Sequence, residues 1–197
     1  MRDRSLQDFV VALQASFAAA TKPETETQFI TKLFSALEVP GTRVQPIAMS
    51  LPVCSHLKIA FANARARPQV AELAKAFEVI EPQLAWKRRA SSGPHASENW
   101  LEGHANAVII GLGGLEERSD VTVGVSLMAP DVRYPDHTHP PEELYMVLSD
   151  SHFQHGDEAW RIPGIGGTFH NSPGIQHAMA SIAEQPLLAI WTMLAST

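Results

Sequence analysis

The sequence predicts a mainly β fold, in which an α-helical N-terminal region precedes a small antiparallel β-barrel or jelly roll. Before about residue 91, apolar residues recur at the three- and four-residue spacing of amphipathic helices. After about residue 104, short alternating runs follow one another between glycine and proline turns. With 197 residues, of which 45% are hydrophobic and 18% charged, the chain is long enough and apolar enough to form a packed core. We therefore expect a helical region over residues 1–104 that packs on a barrel formed by residues 105–197.

The N-terminal region contains four segments with helical periodicity. In the second segment, Phe29, Leu33 and Leu37 form one apolar stripe. In the last segment, Pro82 is expected to break the helix into two pieces. A loop is predicted over residues 91–97, which are rich in serine and also contain Gly-Pro. The predicted helical segments are 5–20, 24–38, 53–66 and 68–90.

The C-terminal half contains six runs that are typical of β-strands. Most of them alternate between apolar and polar residues, whereas the last is a continuous apolar run. Short strands at regular intervals, with turn residues between them, indicate a small antiparallel barrel or jelly roll. The predicted strands are 121–127, 143–148, 158–162, 167–171, 177–181 and 187–194.

The charge and the cysteine count exclude several classes of protein. A net charge of −6 and a pI of about 5.8 argue against a nucleic-acid-binding protein. The single cysteine, Cys54, cannot form an intrachain disulfide and fits a reducing compartment. No apolar run approaches the roughly 20 residues of a membrane span, and polar residues such as Gln7 and Asp8 favour a helix over an export signal at the N-terminus. We expect a cytoplasmic protein that acts on a small molecule, as a monomer or homodimer.

A dense group of metal-ligand residues lies between residues 136 and 145. His137, His139, Glu143 and Tyr145 all have odd numbers, and residues two apart in an extended strand point the same way. His177 follows a Pro-Gly turn and begins another predicted strand. Imidazole and carboxylate ligands indicate a divalent transition metal such as Zn, Fe, Mn, Ni or Cu, and the sequence does not choose among them. Three or four protein ligands leave a position open for substrate, which is the catalytic arrangement.

Aromatic residues add a possible base and a possible pocket lining. The chain has only two tyrosines, Tyr134 and Tyr145, and both lie in or beside the metal-ligand stretch. A nearby dication would lower the pKa of a phenol, so Tyr145 is a candidate base or additional ligand. Trp160, Phe169 and Trp191 lie in predicted strands, where they either fill the core or line a pocket that holds a cation by its ring faces.

The spacing of the ligands resembles that of the cupin superfamily. The first cupin motif, G-x5-H-x-H-x3,4-E-x6-G, is matched by His137-x-His139-x3-Glu143. The second motif, G-x5-P-x-G-x2-H-x3-N, is matched from Gly166 to His177. The departures replace turn glycines, a proline and an asparagine, and they leave every ligand in place. They are Asp131, Asp150, Ser172 and Ser181.

Within the cupins, the pattern H-x-H-x3-E-x-Y with a later histidine is similar to that of the cupin-type dimethylsulfoniopropionate lyases of the DddQ group. The resemblance implies a metal bound by His137, His139, Glu143 and His177, with Tyr145 as the catalytic base. It also places a second tyrosine of the active site, which contacts the substrate, at Tyr134. The implied substrate is a zwitterionic sulfonium carboxylate, which a carbon–sulfur lyase cleaves to acrylate and dimethyl sulfide. Two alternatives stay open: another metal-dependent cupin enzyme, such as a dioxygenase or isomerase, and a non-catalytic sensor cupin.

Overall fold

The computed structural model describes residues 1–20, 22–89 and 93–195. The end of the predicted fourth helical segment, at residue 90, and the start of the predicted loop, at 91 and 92, fall outside this range. Among the described residues, none of the helices combines the length and the apolar character needed to cross a bilayer. Numbered in chain order, the helices are α1 (Arg4–Ala19), α2 (Glu24–Leu37), α3 (Leu57–Arg65), α4 (Ala71–Ile80) and α5 (Trp100–Gly103). Single 3₁₀ turns cover Pro52–His56 and Glu81–Gln83.

The first two helices begin and end within about a residue of their predicted bounds, because both carry a clear amphipathic stripe. At the start of α1, the Asp3 carboxylate accepts a 3.1 Å hydrogen bond from the backbone N–H of Ser5, as an N-capping residue does. The side chains of Phe9, Leu13 and Phe17 are fully buried on one face. The stripe of α2 packs into the same core, so burial of the apolar face stabilises both helices.

The predicted helix over residues 68–90 is wrong in its second half. α4 ends at Ile80, and Pro82 lies in the 3₁₀ turn that follows, since proline cannot continue the hydrogen-bond ladder of a helix. The chain then becomes extended, with Leu84 and Trp86 buried in the core and Lys87 exposed. The backbone of Lys87 pairs with Asn106 through two hydrogen bonds of 2.8 and 2.9 Å, so this segment lies against the edge of the barrel.

The strands form two facing layers, in which every strand pair is antiparallel except that of β2 with β3. The larger sheet has seven strands in the order β1-β3-β2-β4-β9-β5-β7, and the smaller sheet pairs β6 with β8. Isolated bridges from Arg133 and His137 place the segment before β5 alongside β8, which widens the smaller layer. The strands are β1 (Thr42–Arg43), β2 (His104–Ile110), β3 (Glu116–Glu117), β4 (Val121–Met128), β5 (Glu142–Val147), β6 (Ser151–His155), β7 (Thr168–Asn171), β8 (His177–Ser181) and β9 (Leu187–Leu194).

The two faces of the larger sheet bury different clusters. Alternate residues of β5, such as Leu144 and Met146, pack with the helices in one apolar core. The residues between them, such as Tyr145 and Val147, face the smaller sheet and pack with Phe153 of β6. This alternation is a direct result of the two-residue period of a strand. The architecture confirms the predicted fold class of a helical N-terminal region followed by a cupin-like β sandwich.

The helices and the larger sheet share one core. The division of the chain into residues 1–104 and 105–197 stays a prediction.

Among the predicted strands, that over 158–162 is wrong: within it only Arg161 forms a bridge, to Phe153, and the segment is otherwise irregular. Pro163 and the neighbouring glycines turn the chain away, which prevents a longer pairing. The strands β2 and β6 were not among the six predicted runs.

Candidate metal centre and substrate pocket

The three candidate histidine ligands come from two neighbouring segments of the smaller layer. His177 is the first residue of β8, and its backbone pairs with that of His137 through hydrogen bonds of 2.9 and 3.1 Å. The ring centroids of His137 and His177 lie 4.0 Å apart, and those of His139 and His177 lie 5.0 Å apart. Ring nitrogens of the three residues all lie within 4.8 Å of one another.

The route by which these residues converge differs from the single strand that we expected from the odd numbering. His137 and His139 precede β5 and belong to the smaller layer, whereas Glu143 and Tyr145 lie on β5 itself in the larger sheet. The bend at Pro140 and Pro141 turns the chain from one layer to the other. The site therefore lies between the layers, where the inward faces of both sheets meet.

Backbone carbonyls fix the orientation of all three rings. The Nδ1–H of His137 donates to the carbonyl of Pro135 at 3.0 Å, and that of His139 donates to Pro141 at 2.9 Å. The Nδ1–H of His177 donates to Ile175 at 3.1 Å. In the neutral form of each ring the proton is on Nδ1 and the lone pair on Nε2, and the ligand nitrogens of the three rings lie close together. Such hydrogen bonds orient metal-bound histidines in proteins.

The carboxylate of Glu143 completes this cluster. Its Oε2 atom lies 3.2 Å from Nε2 of His139 and 3.3 Å from Nε2 of His177. Asn171, which is directly opposite on β7, donates from Nδ2 to the same oxygen at 2.7 Å. The Oδ1 atom of Asn171 in turn accepts from Nε2 of His155 at 2.9 Å. The hydrogen bonds from His155 to Asn171 and from Asn171 to Glu143 thus hold the Glu143 carboxylate in place.

The cluster is electrostatically arranged for a cation. Burial would raise the pKa of Glu143, but hydrogen bonds and charge from His139 and His177 hold it at about 2, so the carboxylate is ionised. The hydrogen bond to Glu143 raises the pKa of His139. Burial and the nearby His177 lower the pKa of His137 to about 3. One negative charge therefore lies among three rings, and the pKa values of His137 and His139 are shifted in opposite directions.

These residues fit a divalent metal ion. The Nε2 atom of His177 is buried, and it has no hydrogen-bond partner among the described residues. An orphaned buried lone pair that faces a carboxylate is costly unless something positive lies between them. His137, His139, His177 and Glu143 would supply three nitrogens and an oxygen, a set typical of Zn and other first-row transition metals. The donor types alone do not select one of these metals.

Tyr145 lies on the inner face of β5, two residues from Glu143. It is buried, and burial together with the negative charge of Glu143 raises its pKa well above 10. Tyr134 lies on the opposite layer, with its ring centroid 4.9 Å from that of His137. Burial also raises the pKa of Tyr134, and its hydroxyl accepts a 3.2 Å hydrogen bond from Nδ2 of Asn106. Both predicted tyrosines therefore border the metal cluster.

Two of the three predicted pocket aromatics flank Tyr145. Phe169 of β7 pairs with Tyr145 on one side, and Trp191 of β9 pairs with it on the other. Trp191 also covers Gly124, where an added Cβ would lie 2.1 Å from the indole ring. Trp160 does not reach this site, because it packs on the outer surface against Arg133, 5.4 Å from the guanidinium carbon, and is 37% exposed. The prediction of Trp160 as a substrate contact rested on the incorrect strand over 158–162.

Several polar residues of the site were missed by the sequence reasoning. No sequence motif marks Asn171 or Asn106. Ser126 donates from Oγ to Oδ1 of Asn106 at 2.7 Å, and this pair supports the hydroxyl of Tyr134. Arg89 was assigned to a helix, although its guanidinium carbon lies 5.9 Å from the centre of the Tyr134 ring. A strand assignment for residues 84–89, based on buried Leu84 and Trp86 alternating with charge, would have found Arg89.

Comparison with known proteins bears on what this site does. The family model for dimethylsulfoniopropionate lyase matches residues 25–189. The chain belongs to the dimethylsulfoniopropionate lyase family. This membership confirms the recognition made from the ligand and tyrosine pattern, and the prediction of a lyase. Among the curated proteins, none matches the sequence significantly.

Solved structures show the same fold over nearly the whole chain. One of the DMSP lyases RdDddP and RnDddQII superimposes with a TM-score of 0.72 and 21% identity, covering 98% of this chain and 93% of its own. DMSP lyase DddQ from Ruegeria pomeroyi DSS-3 also gives a TM-score of 0.72, with 20% identity and coverage of 99% and 93%. The likeness includes the N-terminal helices as well as the barrel.

Proposed function

We propose that this protein cleaves dimethylsulfoniopropionate into acrylate and dimethyl sulfide by β-elimination, with Tyr145 as the general base. One observation carries the proposal: three Nε2 lone pairs and the Glu143 carboxylate converge beside the inward-facing Tyr145. Family membership supports the substrate class. The four metal ligands His137, His139, Glu143 and His177 are part of the same proposal.

The reaction removes a proton from the carbon next to the substrate carboxylate. As Tyr145 takes this proton, the C–H electron pair becomes the carbon–carbon double bond. The bond from the β-carbon to sulfur breaks, and its electron pair leaves with sulfur as neutral dimethyl sulfide. A divalent ion in this site would supply Lewis acidity for the substrate carboxylate and positive charge that favours the tyrosinate. Because burial and Glu143 raise the pKa of Tyr145 in the chain alone, the phenol holds its proton without such a charge.

In this proposal, the other side chains around the candidate metal site bind and enclose the substrate. The Tyr134 hydroxyl accepts from Asn106, so its own hydrogen is available for a substrate oxygen. Phe169 and Trp191 lie on both sides of Tyr145, and aromatic rings attract a sulfonium without donating hydrogen bonds. The same apolar rings exclude water from the carbon that loses its proton. A cytoplasmic location is the remaining part of the proposal and rests on the single free cysteine, Cys54.

The test is release of dimethyl sulfide into the headspace from dimethylsulfoniopropionate and purified protein. Protein stripped with a chelator should be inactive, and activity should return when one of Zn, Fe, Mn or Ni is restored. The control variant His177→Ala removes one donor and should neither retain metal nor release dimethyl sulfide. If no ion gives dimethyl sulfide while the folded protein binds metal, the lyase proposal is wrong. Oxygen consumption with candidate substrates would then favour the dioxygenase alternative.

A further inference from the structure

An arginine that is not part of the metal cluster reaches the substrate pocket. Arg89 is half-buried at the end of the extended segment that pairs with β2. Its guanidinium carbon lies 5.9 Å from the centre of the Tyr134 ring, and Tyr134 packs on His137. A cavity of about 180 Å³ opens beside Arg89, and Asn106 and Trp191 also line it. Arg89 therefore lies beside Tyr134 and shares a cavity with Asn106 and Trp191, two residues that contact or pair with the candidate tyrosines.

A buried histidine holds the backbone of Arg89 in place. The backbone N–H of Arg89 donates to Nε2 of His104 at 2.9 Å. The Nδ1–H of His104 donates to the carbonyl of Trp100 at 2.6 Å, and the two rings stack 3.3 Å apart. The Trp100 carbonyl can only accept and the Arg89 N–H can only donate, so these two hydrogen bonds fix the tautomer of the buried His104 ring. They also fix the direction in which the Arg89 side chain leaves the backbone.

The Arg89 guanidinium has no carboxylate partner among the described residues. Its neighbour Arg88 contacts the carboxylate of Glu102, and the other arginines at the barrel rim, such as Arg133 with Asp136, are also paired. The Arg89 guanidinium instead lies over the Tyr134 ring, 5.9 Å from its centre. A half-buried, unpaired guanidinium beside hydroxyl and amide groups is a site for a carboxylate.

The two charged ends of the proposed substrate respond to Arg89 in opposite ways. The sulfonium is repelled by a guanidinium, whereas the carboxylate is attracted and can accept two parallel N–H bonds. The Tyr134 hydroxyl lies on the same side and offers a further hydrogen. We propose that Arg89 binds the substrate carboxylate together with Tyr134 and so determines which end of the zwitterion enters the pocket toward His137. This inference rests on the proposed function for the identity of the substrate.

Binding of propionate to the metal-loaded protein tests the inference without catalysis. Arg89→Gln should raise the Kd of propionate about tenfold or more, the range expected when a charge-assisted pair is lost, and Arg89→Lys should recover part of the affinity. The uncharged analogue propionamide should bind all three proteins alike. Arg67→Gln removes the same charge from an exposed arginine that does not line this cavity and should change the Kd less than twofold. Calorimetry gives each Kd.

Equal propionate affinity in Arg89→Gln and Arg67→Gln would overturn the inference. So would loss of bound metal from Arg89→Gln, because it would assign Arg89 to the structure of the metal site. With dimethylsulfoniopropionate, Arg89→Gln should raise KM about tenfold, and an unchanged KM would also contradict the inference. If the wild-type protein releases no dimethyl sulfide but Arg89→Gln still weakens propionate binding, the proposed function is wrong while carboxylate recognition by Arg89 stands.

Discussion

Asn171 and Glu143 lie directly opposite each other on β7 and β5, and Nδ2 of Asn171 donates a 2.7 Å hydrogen bond to Oε2 of Glu143. The amide is fully buried, and its oxygen is already engaged by His155. Hydrogen bonds at both Nδ2 and Oδ1 therefore fix the orientation of the Asn171 amide. The carboxylate that points at the three imidazoles is held by a residue that is not itself a candidate ligand.

We expect Asn171→Ala to weaken metal binding by about 10- to 100-fold, the range for residues that orient metal ligands. The Glu143 carboxylate would lose its donor and could rotate away from Nε2 of His139 and His177. Competition with a chelator measures the affinity. Asn99→Ala, which removes an exposed amide on the carbonyl of Asp131, is the matched control and should keep wild-type affinity. Wild-type affinity in Asn171→Ala would show that Glu143 needs no such support.

Replacing Tyr145 with Phe should remove turnover while the metal stays bound. The substitution deletes one oxygen from the inner face of β5 and leaves the ring packing against Phe153, 5.3 Å away between centroids. Loss of a general base costs about 10² to 10⁴ in kcat. Metal content and headspace dimethyl sulfide are both measured on the same preparation. Turnover near the wild-type level would rule out Tyr145 as the base.

His104 should make part of the folding stability depend on pH. Burial, and to a smaller extent Arg88 and Arg89, lowers its pKa from 6.5 to about 4. Between these two pH values the unfolded chain binds more protons than the folded chain. The contribution of the neutral His104 to the free energy of unfolding is therefore complete above pH 6.5 and is lost as the pH falls toward 4. The contribution is at most about 3 kcal/mol. Urea unfolding across this range measures it.

The variant His104→Gln isolates this contribution from that of His137, whose pKa is also lowered by burial. Glutamine can still accept from the N–H of Arg89 but does not titrate. The difference in unfolding free energy between wild type and His104→Gln should therefore shrink as the pH falls from 6.5 to 4. A difference that stays constant over this range would contradict the buried neutral histidine.

Gly124→Ala should destabilise the barrel and disturb the pocket wall. An alanine Cβ would lie 2.1 Å from the Trp191 ring, so the indole must move or the strands must separate. Overpacking of this kind costs about 1–3 kcal/mol. The double variant Gly124→Ala/Trp191→Leu should lose less stability than the two single changes together, by at least about 0.5 kcal/mol. Additive losses in urea unfolding would mean that the two side chains do not meet.

The ligand cluster was predictable because its signal is local. His137, His139 and Glu143 lie within seven residues, and His177 follows a turn that starts a strand, so type and spacing alone indicate one site. The helices α1 and α2 were equally accessible, since an amphipathic stripe is a property of one segment. What sequence could not supply is the layer to which each ligand belongs: His137 pairs with His177 across the smaller sheet rather than extending β5.

The residues that sequence reasoning missed act through contacts between distant segments. Arg89 reaches the pocket only because its backbone is bound by His104, 15 residues away, and because the segment is extended rather than helical. Asn171 supports Glu143 across a strand pair formed by residues 28 apart. Trp160 shows the opposite error, in which an aromatic residue in an apparent strand lies on the outer surface against Arg133. Neither composition nor periodicity encodes such pairings.

The alternation along β5 separates two kinds of evolutionary change. Leu144 and Met146 anchor the sheet to the helices, while Glu143 and Tyr145, one position away in each case, lie on the face that borders the histidine cluster. A lineage or a directed-evolution library can therefore vary the even-numbered positions to adjust thermal stability without changing the side chains beside the histidine cluster. The converse also holds: an insertion of one residue in this strand would exchange the two sets and abolish both properties at once.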